Sequence, residues 1–262
     1  MGCAANNVAH LRRKILRDHH LLAGRGPVDH IRVGAVTGSP APIAASVKLL
    51  GFWSAVLATI FSIVYIVAQV AEWLGWLGSK GGPASGSTPL GIVVLLTPSL
   101  LLGSSFLLMM ASVHQLAPSD KRVWSQAALS FATIYAALIS VVYFVQLTLV
   151  GPRLAEGRME GIELLRFVPF DSFLYAVDIL GYSFMSLSTL FAARVFAGDG
   201  LERTARWFLT ANGLLLPFLA LQMYFHSFIW GGALWAVTFP ASTWSLALIF
   251  RRAETATGTE LA

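Results

Sequence analysis

The sequence has little charge and almost no cysteine. Of its 262 residues, 12% are Asp, Glu, Lys or Arg, against about 25% in ordinary soluble domains. Cys3 is the only cysteine, so no disulfide can form within the chain. None of the lysines falls in the middle of a long apolar stretch, which excludes a retinal-type Schiff base.

The motifs of several enzyme classes are also missing. There is no His-Glu-x-x-His pair and no phosphate-binding loop, and there is no Gly-x-Ser-x-Gly nucleophile elbow. His114 is predicted near the inner end of the second span and His226 near the outer end of the fifth, so they are not expected to share a metal. The sequence predicts no metal and no cofactor, and it favours a non-enzymatic function.

Long apolar stretches dominate what is present, since 56% of the residues are hydrophobic. About 20 apolar residues cross the hydrocarbon core as a helix, and backbone groups in lipid must pair internally. The sequence therefore predicts an all-α, polytopic transmembrane helical bundle of six spans. The predicted spans are 46–74, 89–116, 124–150, 168–196, 206–227 and 229–250.

The basic residues predict how this bundle is oriented. Alternate connections divide the 18 Lys and Arg residues into 14 on one side and 4 on the other. The positive-inside rule then places both termini in the cytoplasm. We expect a basic cytoplasmic tail at 1–43, partly disordered or amphipathic, a six-helix transmembrane domain at 44–250 and a cytoplasmic C-terminal tail at 251–262.

These features predict a multi-pass protein of the cell membrane, specifically of a bacterial inner membrane. The expected partner is the lipid bilayer, with a membrane-protein partner or a homo-oligomer left open. The net charge of +5 is explained by the cytoplasmic loops, so nucleic acid is not an expected partner.

The fourth predicted span carries a line of polar side chains at helical spacing. The line consists of Asp171, Tyr175, Asp178, Tyr182, Ser186 and Thr189. Asp178 is ten residues beyond Val168, which predicts a depth of about 15 Å, near mid-membrane. A charged residue there costs about 2.5–3.5 kcal/mol and marks a functional site by default.

We therefore predict Asp178 as a proton or cation site. The alternative is a structural role, in which Asp178 makes a hydrogen bond that fixes helix packing. Asp171 is a second candidate, although a hydrated position at the outer interface is the more favoured interpretation.

Polar residues of neighbouring spans are predicted at a similar height. They are Tyr65, Gln69, Tyr143, Gln146 and Gln222. Together they could line a polar cavity open to the outside, whereas each one alone is typical of a packing hydrogen bond.

Prolines interrupt the second, fifth and sixth predicted spans at Pro98, Pro217 and Pro240. Proline removes a helix hydrogen bond, so a kink is expected at each position.

The hydropathy layout over 46–250 and the segment Asp178-Ile179-Leu180-Gly181-Tyr182 resemble uncharacterised six-pass bacterial membrane proteins of the domain-of-unknown-function kind. The resemblance implies a fold and no activity.

Three classes of function remain open. The first is a small permease or transporter-like protein with a mid-membrane carboxylate. The second is a non-catalytic membrane subunit or scaffold. The third, and least favoured, is an intramembrane enzyme that uses the same carboxylates.

Overall fold

The computed structural model describes residues 43–254. The predictions made for the tail 1–43 and for the end of the tail 251–262 lie outside these residues, apart from their inner ends. Over the described range the secondary structure is helical. The α-helices are α1 (Ala45–Trp73), α2 (Pro89–Leu116), α3 (Arg122–Val145), α4 (Gly151–Ala155), α5 (Phe173–Ala192), α6 (Leu201–Gly213), α7 (Leu216–Leu221), α8 (Ile229–Gly232) and α9 (Trp235–Arg252).

Five helical segments are long and apolar enough to cross a membrane. They are Ala45–Trp73, Pro89–Leu116, Ser119–Ala155, Phe173–Val195 and His226–Arg252. The third joins α3 to α4 through a π-helical turn at Gln146–Val150, and the fifth adds the short turns before α9. The prediction of a helical protein with several apolar helices of membrane length is thereby confirmed.

The fourth span begins later than predicted, at Phe173. Pro169 and Phe170 precede it, and Phe170 has a positive φ of 67°, which a helix cannot accommodate. The side chain of Ser172 then caps the helix by accepting a hydrogen bond from the Tyr175 backbone N–H. Residues 168–172 are therefore part of a loop.

The fifth predicted span is broken into α6 and α7. Pro217 lies in the first turn of α7. It has no N–H to donate to the carbonyl of Gly213, four residues earlier, and its ring would clash with that carbonyl. The helix therefore ends at Gly213 and restarts at Leu216. Pro98 and Pro240 lie inside helices that continue past them.

The helices form a closed ring in which each packs against the next. The order is α1, α2, α3, α5, the α6–α7 pair and α9, and α9 returns to pack on α1. Neighbours run antiparallel. Between α1 and α9, for example, Thr59 bonds Thr243 at 2.7 Å, while Trp73, further along α1, contacts Trp230, which precedes α9.

Both ends of the described chain meet at one end of this ring. The Ile43 N–H donates to the Glu254 carbonyl at 3.0 Å, and Lys48 Nζ donates to the Ala253 carbonyl at 2.8 Å. We call this the terminal end. The opposite end, where the connections 74–88 and 156–172 lie, is called the loop end.

Five aromatic side chains close the interior of the ring. Centroid distances link Phe106 to Tyr135 (5.5 Å), Tyr135 to Tyr182 (5.6 Å), Tyr182 to Trp235 (5.9 Å), Trp235 to Phe239 (4.9 Å) and Phe239 to Phe106 (5.7 Å). We call these residues the aromatic layer. Edge-to-face and offset contacts of this kind stabilise a packed interior.

The outer surface of the ring is apolar. Large side chains such as Val67 on α1, Leu180 on α5 and Val237 on α9 are exposed. A protein in water rarely exposes apolar surface on this scale, so contact with a lipid bilayer is the physical explanation.

Candidate functional site

A cavity of about 210 Å³ lies inside the ring between the aromatic layer and the loop end. Tyr182 and Trp235 belong both to the aromatic layer and to the cavity wall, so the layer forms the cavity floor. Loop residues such as Pro83 and Phe167 line it at the other end. An engineered cavity of about 150 Å³ accommodates benzene, so this one has room for a small molecule.

Polar side chains from four of the ring's segments line the cavity. They are Tyr65, Gln69, Tyr143, Tyr175, Tyr182 and Gln222. They pair with one another, since hydroxyl groups donate from Tyr65 to Gln69 at 2.9 Å, from Tyr175 to Gln222 at 3.0 Å and from Tyr143 to Tyr182 at 3.2 Å. The structure thus brings together four of the five residues predicted for the outer layer.

Asp178 lines the cavity beside these pairs and is only 5% exposed. Its Oδ1 is buried and accepts no hydrogen bond from residues 43–254. Because α5 begins at Phe173, Asp178 lies about 7.5 Å along the helix axis. The predicted depth of about 15 Å assumed helix from Val168, so Asp178 is nearer the loop end than predicted.

Glu72, near the end of α1, is a second buried carboxylate in the cavity wall, and it is not among the site residues predicted from the sequence. It is 2% exposed, and neither Oε1 nor Oε2 has a hydrogen-bond partner in the described chain. One signal was available. Glu72 is the only acidic residue in the predicted span 46–74.

Gly91 lets the Glu72 carboxylate approach the first turn of α2. A Cβ at this glycine would lie 2.8 Å from Glu72 Oε2, closer than a carbon and an oxygen can pack. The N-terminus of a long helix carries a partial positive charge that favours an anion nearby. This placement gives the Glu72 carboxylate a favourable electrostatic environment although it has no direct donor.

The two carboxylates lie at different heights above the aromatic layer. Tyr65 and Tyr182 both pack against Trp235 and so mark the same level. Asp178 is one turn from Tyr182 toward the loop end, about 6 Å along the axis, and Glu72 is about 10 Å beyond Tyr65. Glu72 therefore lies nearer the loop end, with Asp178 between it and the aromatic floor.

The charge of the cavity has one sign. Among the described residues that line it, Glu72 and Asp178 are acidic and none is Lys, Arg or His. The rest of the wall is aromatic, aliphatic or neutral polar. No group of three or more His, Cys, Asp or Glu suited to a metal occurs between residues 43 and 254. The arrangement suits a monovalent cation or a proton.

Two predicted site residues lie away from the cavity. Asp171 lies in the loop just before the helix cap Ser172, where it is exposed. It does not line the cavity. Gln146 is buried but is turned to the 156–172 connection, because its amide donates to the Leu165 carbonyl. Gln146 therefore holds this loop onto the end of α3.

The polar line on α5 divides into two parts. Tyr175, Asp178 and Tyr182 line the cavity, whereas the buried Ser186 and Thr189 lie on the terminal side of the aromatic layer.

On the terminal side of the aromatic layer, the Asn212 side chain of α6 donates to Thr189 Oγ1 at 3.1 Å and accepts from Thr238 of α9 at 3.1 Å. Thr189 also donates to the Ser186 carbonyl at 3.0 Å. These bonds connect three helices, which is a structural role.

The resemblance to six-pass bacterial membrane proteins stays a prediction, because no protein-family model, no curated protein and no solved structure matches this chain.

Proposed function

We propose that this chain is a six-pass inner-membrane protein of the small permease type, with Asp178 as its proton or cation site. Both termini are on the cytoplasmic side. The single observation that carries the proposal is the cavity inside the closed ring of helices, which holds a buried carboxylate with one oxygen that has no hydrogen-bond partner among residues 43–254.

The path of the α6–α7 pair supports six crossings. Asn212 contacts Thr189 near the end of α5, and Gln222 contacts Tyr175 near its beginning. The pair therefore follows α5 antiparallel over 14 residues of its length, about 21 Å of helix axis. Broken helices of this kind occur in transporters near their binding sites.

The position of the chain ends supports the cytoplasmic assignment. Ile43 and Glu254 meet at the terminal end, as an even number of crossings requires. The 14 Lys and Arg residues counted for that side in the sequence, against 4 for the other, support its assignment to the cytoplasm.

The aromatic layer supports a transport role for the cavity. It separates the cavity from the terminal end, so a solute that reaches Asp178 from the loop end meets a closed floor. A permease must open such a floor while closing the entrance, by movement of one group of helices against another. The α6–α7 break, beside the floor, provides a place where that movement can occur.

Flux through proteoliposomes tests the proposal. Purified protein is reconstituted into liposomes, which are adsorbed onto a solid-supported membrane. Currents are then recorded after jumps in the concentration of protons, alkali cations or small organic cations. We expect a current in the wild type that Asp178→Asn abolishes while thermal unfolding stays cooperative. Asp171→Asn, a matched change at an exposed position, keeps the current.

The same variants separate the other two classes. A scaffold gives no current in either background, and Asp178→Asn then changes only stability or assembly. An intramembrane enzyme gives turnover of a lipid-soluble substrate without current. Either result would remove the permease proposal.

A further inference from the structure

We propose that the cavity binds a small organic cation, an amine or quaternary ammonium group carried on an apolar body, held between Glu72 and Asp178. This ligand class deepens the proposed function and rests on it for its transport role, although binding can be measured separately.

Burial is the first reason. Glu72 and Asp178 are 2% and 5% exposed, and three of their four carboxylate oxygens are buried without a hydrogen-bond partner among the described residues. An isolated buried carboxylate is costly unless a positive charge or a proton compensates it. No basic side chain of residues 43–254 lines the cavity, so within the described chain these charges are left to a proton or a bound cation.

The aromatic wall is the second reason. Trp73, Tyr65, Tyr143, Tyr175, Tyr182 and Trp235 line the cavity. The faces of such rings attract cations, and aromatic cages are the usual recognition sites for quaternary ammonium groups. The attraction is larger when the cation is desolvated, so a weakly hydrated quaternary ammonium group suits this wall better than a strongly hydrated metal ion.

Size and apolarity are the third reason. Aliphatic side chains, including Ile66, Ile92 and Leu95, complete the wall, and they favour a ligand with an apolar body. A volume of about 210 Å³ fits a ligand somewhat larger than benzene, for which about 150 Å³ is enough. The two carboxylates lie at different heights, so the charged group can pass from Glu72 to Asp178 as it moves inward.

Calorimetric titration of the full chain in lipid nanodiscs tests the assignment, with benzyltrimethylammonium as the probe and N,N-dimethylbenzamide as a neutral molecule of similar size. We expect saturable binding of the cation and at least tenfold weaker binding of the amide. Such a difference corresponds to about 1.4 kcal/mol, within the range of a desolvated cation–π contact. Equal affinity for the two probes would overturn the assignment.

Variants locate the site. Glu72→Gln and Asp178→Asn should each weaken benzyltrimethylammonium binding by about tenfold or more. Glu163→Gln, the same change at an exposed loop position, should leave binding unchanged. If Glu72→Gln unfolds the protein, Gly91→Ala is measured instead. The new methyl group displaces the carboxylate without removing it, and binding should again weaken. Wild-type affinity in the folded variants would refute the site.

The binding and flux results distinguish this inference from the proposed function. Organic cations that bind at Glu72 but produce no current would leave the ligand assignment standing and remove the permease. A current that depends on Asp178, without binding of either probe, would leave the permease standing and remove the organic cation.

Discussion

The helix α6 packs closely on α5 at Gly213, so a single added methyl group should push the two helices apart. A Cβ at this position would lie 2.6 Å from Leu190 Cβ, 3.0 Å from Leu190 Cα and 3.0 Å from the Ser186 carbonyl oxygen. Favourable contacts between carbon atoms need about 3.5–4.0 Å. Since two of these atoms belong to the α5 backbone, no side-chain rotation relieves the clash, and α6 must move by roughly 1 Å to restore that spacing.

We expect Gly213→Ala to lower the free energy of unfolding by about 1–2 kcal/mol. Overpacking of this kind costs about 1–3 kcal/mol, and the better helix propensity of alanine offsets about 0.5–1 kcal/mol of that loss. Gly103→Ala in α2 is the matched control. There the added Cβ meets Ile139 at 3.6 Å, an ordinary contact, so propensity alone should leave stability unchanged or slightly raised.

Thermal and denaturant unfolding of the two variants in the same detergent measures this difference. Loss of stability in Gly213→Ala together with retention in Gly103→Ala supports the close packing of α6 on α5. If Gly213→Ala unfolds at the wild-type midpoint, then α6 does not lie against α5 as described. A fifth crossing beside α5 would then have no geometric basis.

Two further predictions concern the hydrogen bonds on the terminal side of the aromatic layer and the orientation of the protein in the membrane. Asn212→Ala removes the side chain that connects α5 to α9, and we expect unfolding to become easier by about 1–2 kcal/mol, as for other buried hydrogen-bonding groups in membrane bundles. An unchanged unfolding midpoint would show that these bonds contribute nothing. In a background without the native cysteine, Lys80→Cys should react in intact cells with a membrane-impermeant maleimide, whereas Asp199→Cys should react only after lysis. The reverse pattern would contradict the cytoplasmic termini.

The sequence was sufficient for the apolar helices and for the inward face of the fourth one. Tyr175, Asp178 and Tyr182 recur at helical spacing, so their common direction follows from the geometry of a helix, whatever surrounds it. The same holds for α1 and α2, whose observed ends lie within a residue of the predicted ones.

The positions where helices start and break were harder to predict from the sequence. The predicted span included residues 168–172, but the positive φ of Phe170, which the sequence does not show, keeps these residues out of the helix. The three prolines look alike in sequence, yet Pro217 alone coincides with a break. Whether neighbouring groups compensate the lost hydrogen bond depends on packing, which a proline's own position does not encode.

The sequence alone determined that this chain forms apolar helices, that its basic residues are unevenly divided, and that one helix has a polar side. Composition and periodicity act locally along the chain, so they can be read without its fold. Only the tertiary structure decided that Glu72 joins Asp178, that Gln146 and Asp171 do not, and that aromatic rings close the space beneath. Those outcomes depend on which helices are neighbours and at what height, and close packing of the whole ring fixes both.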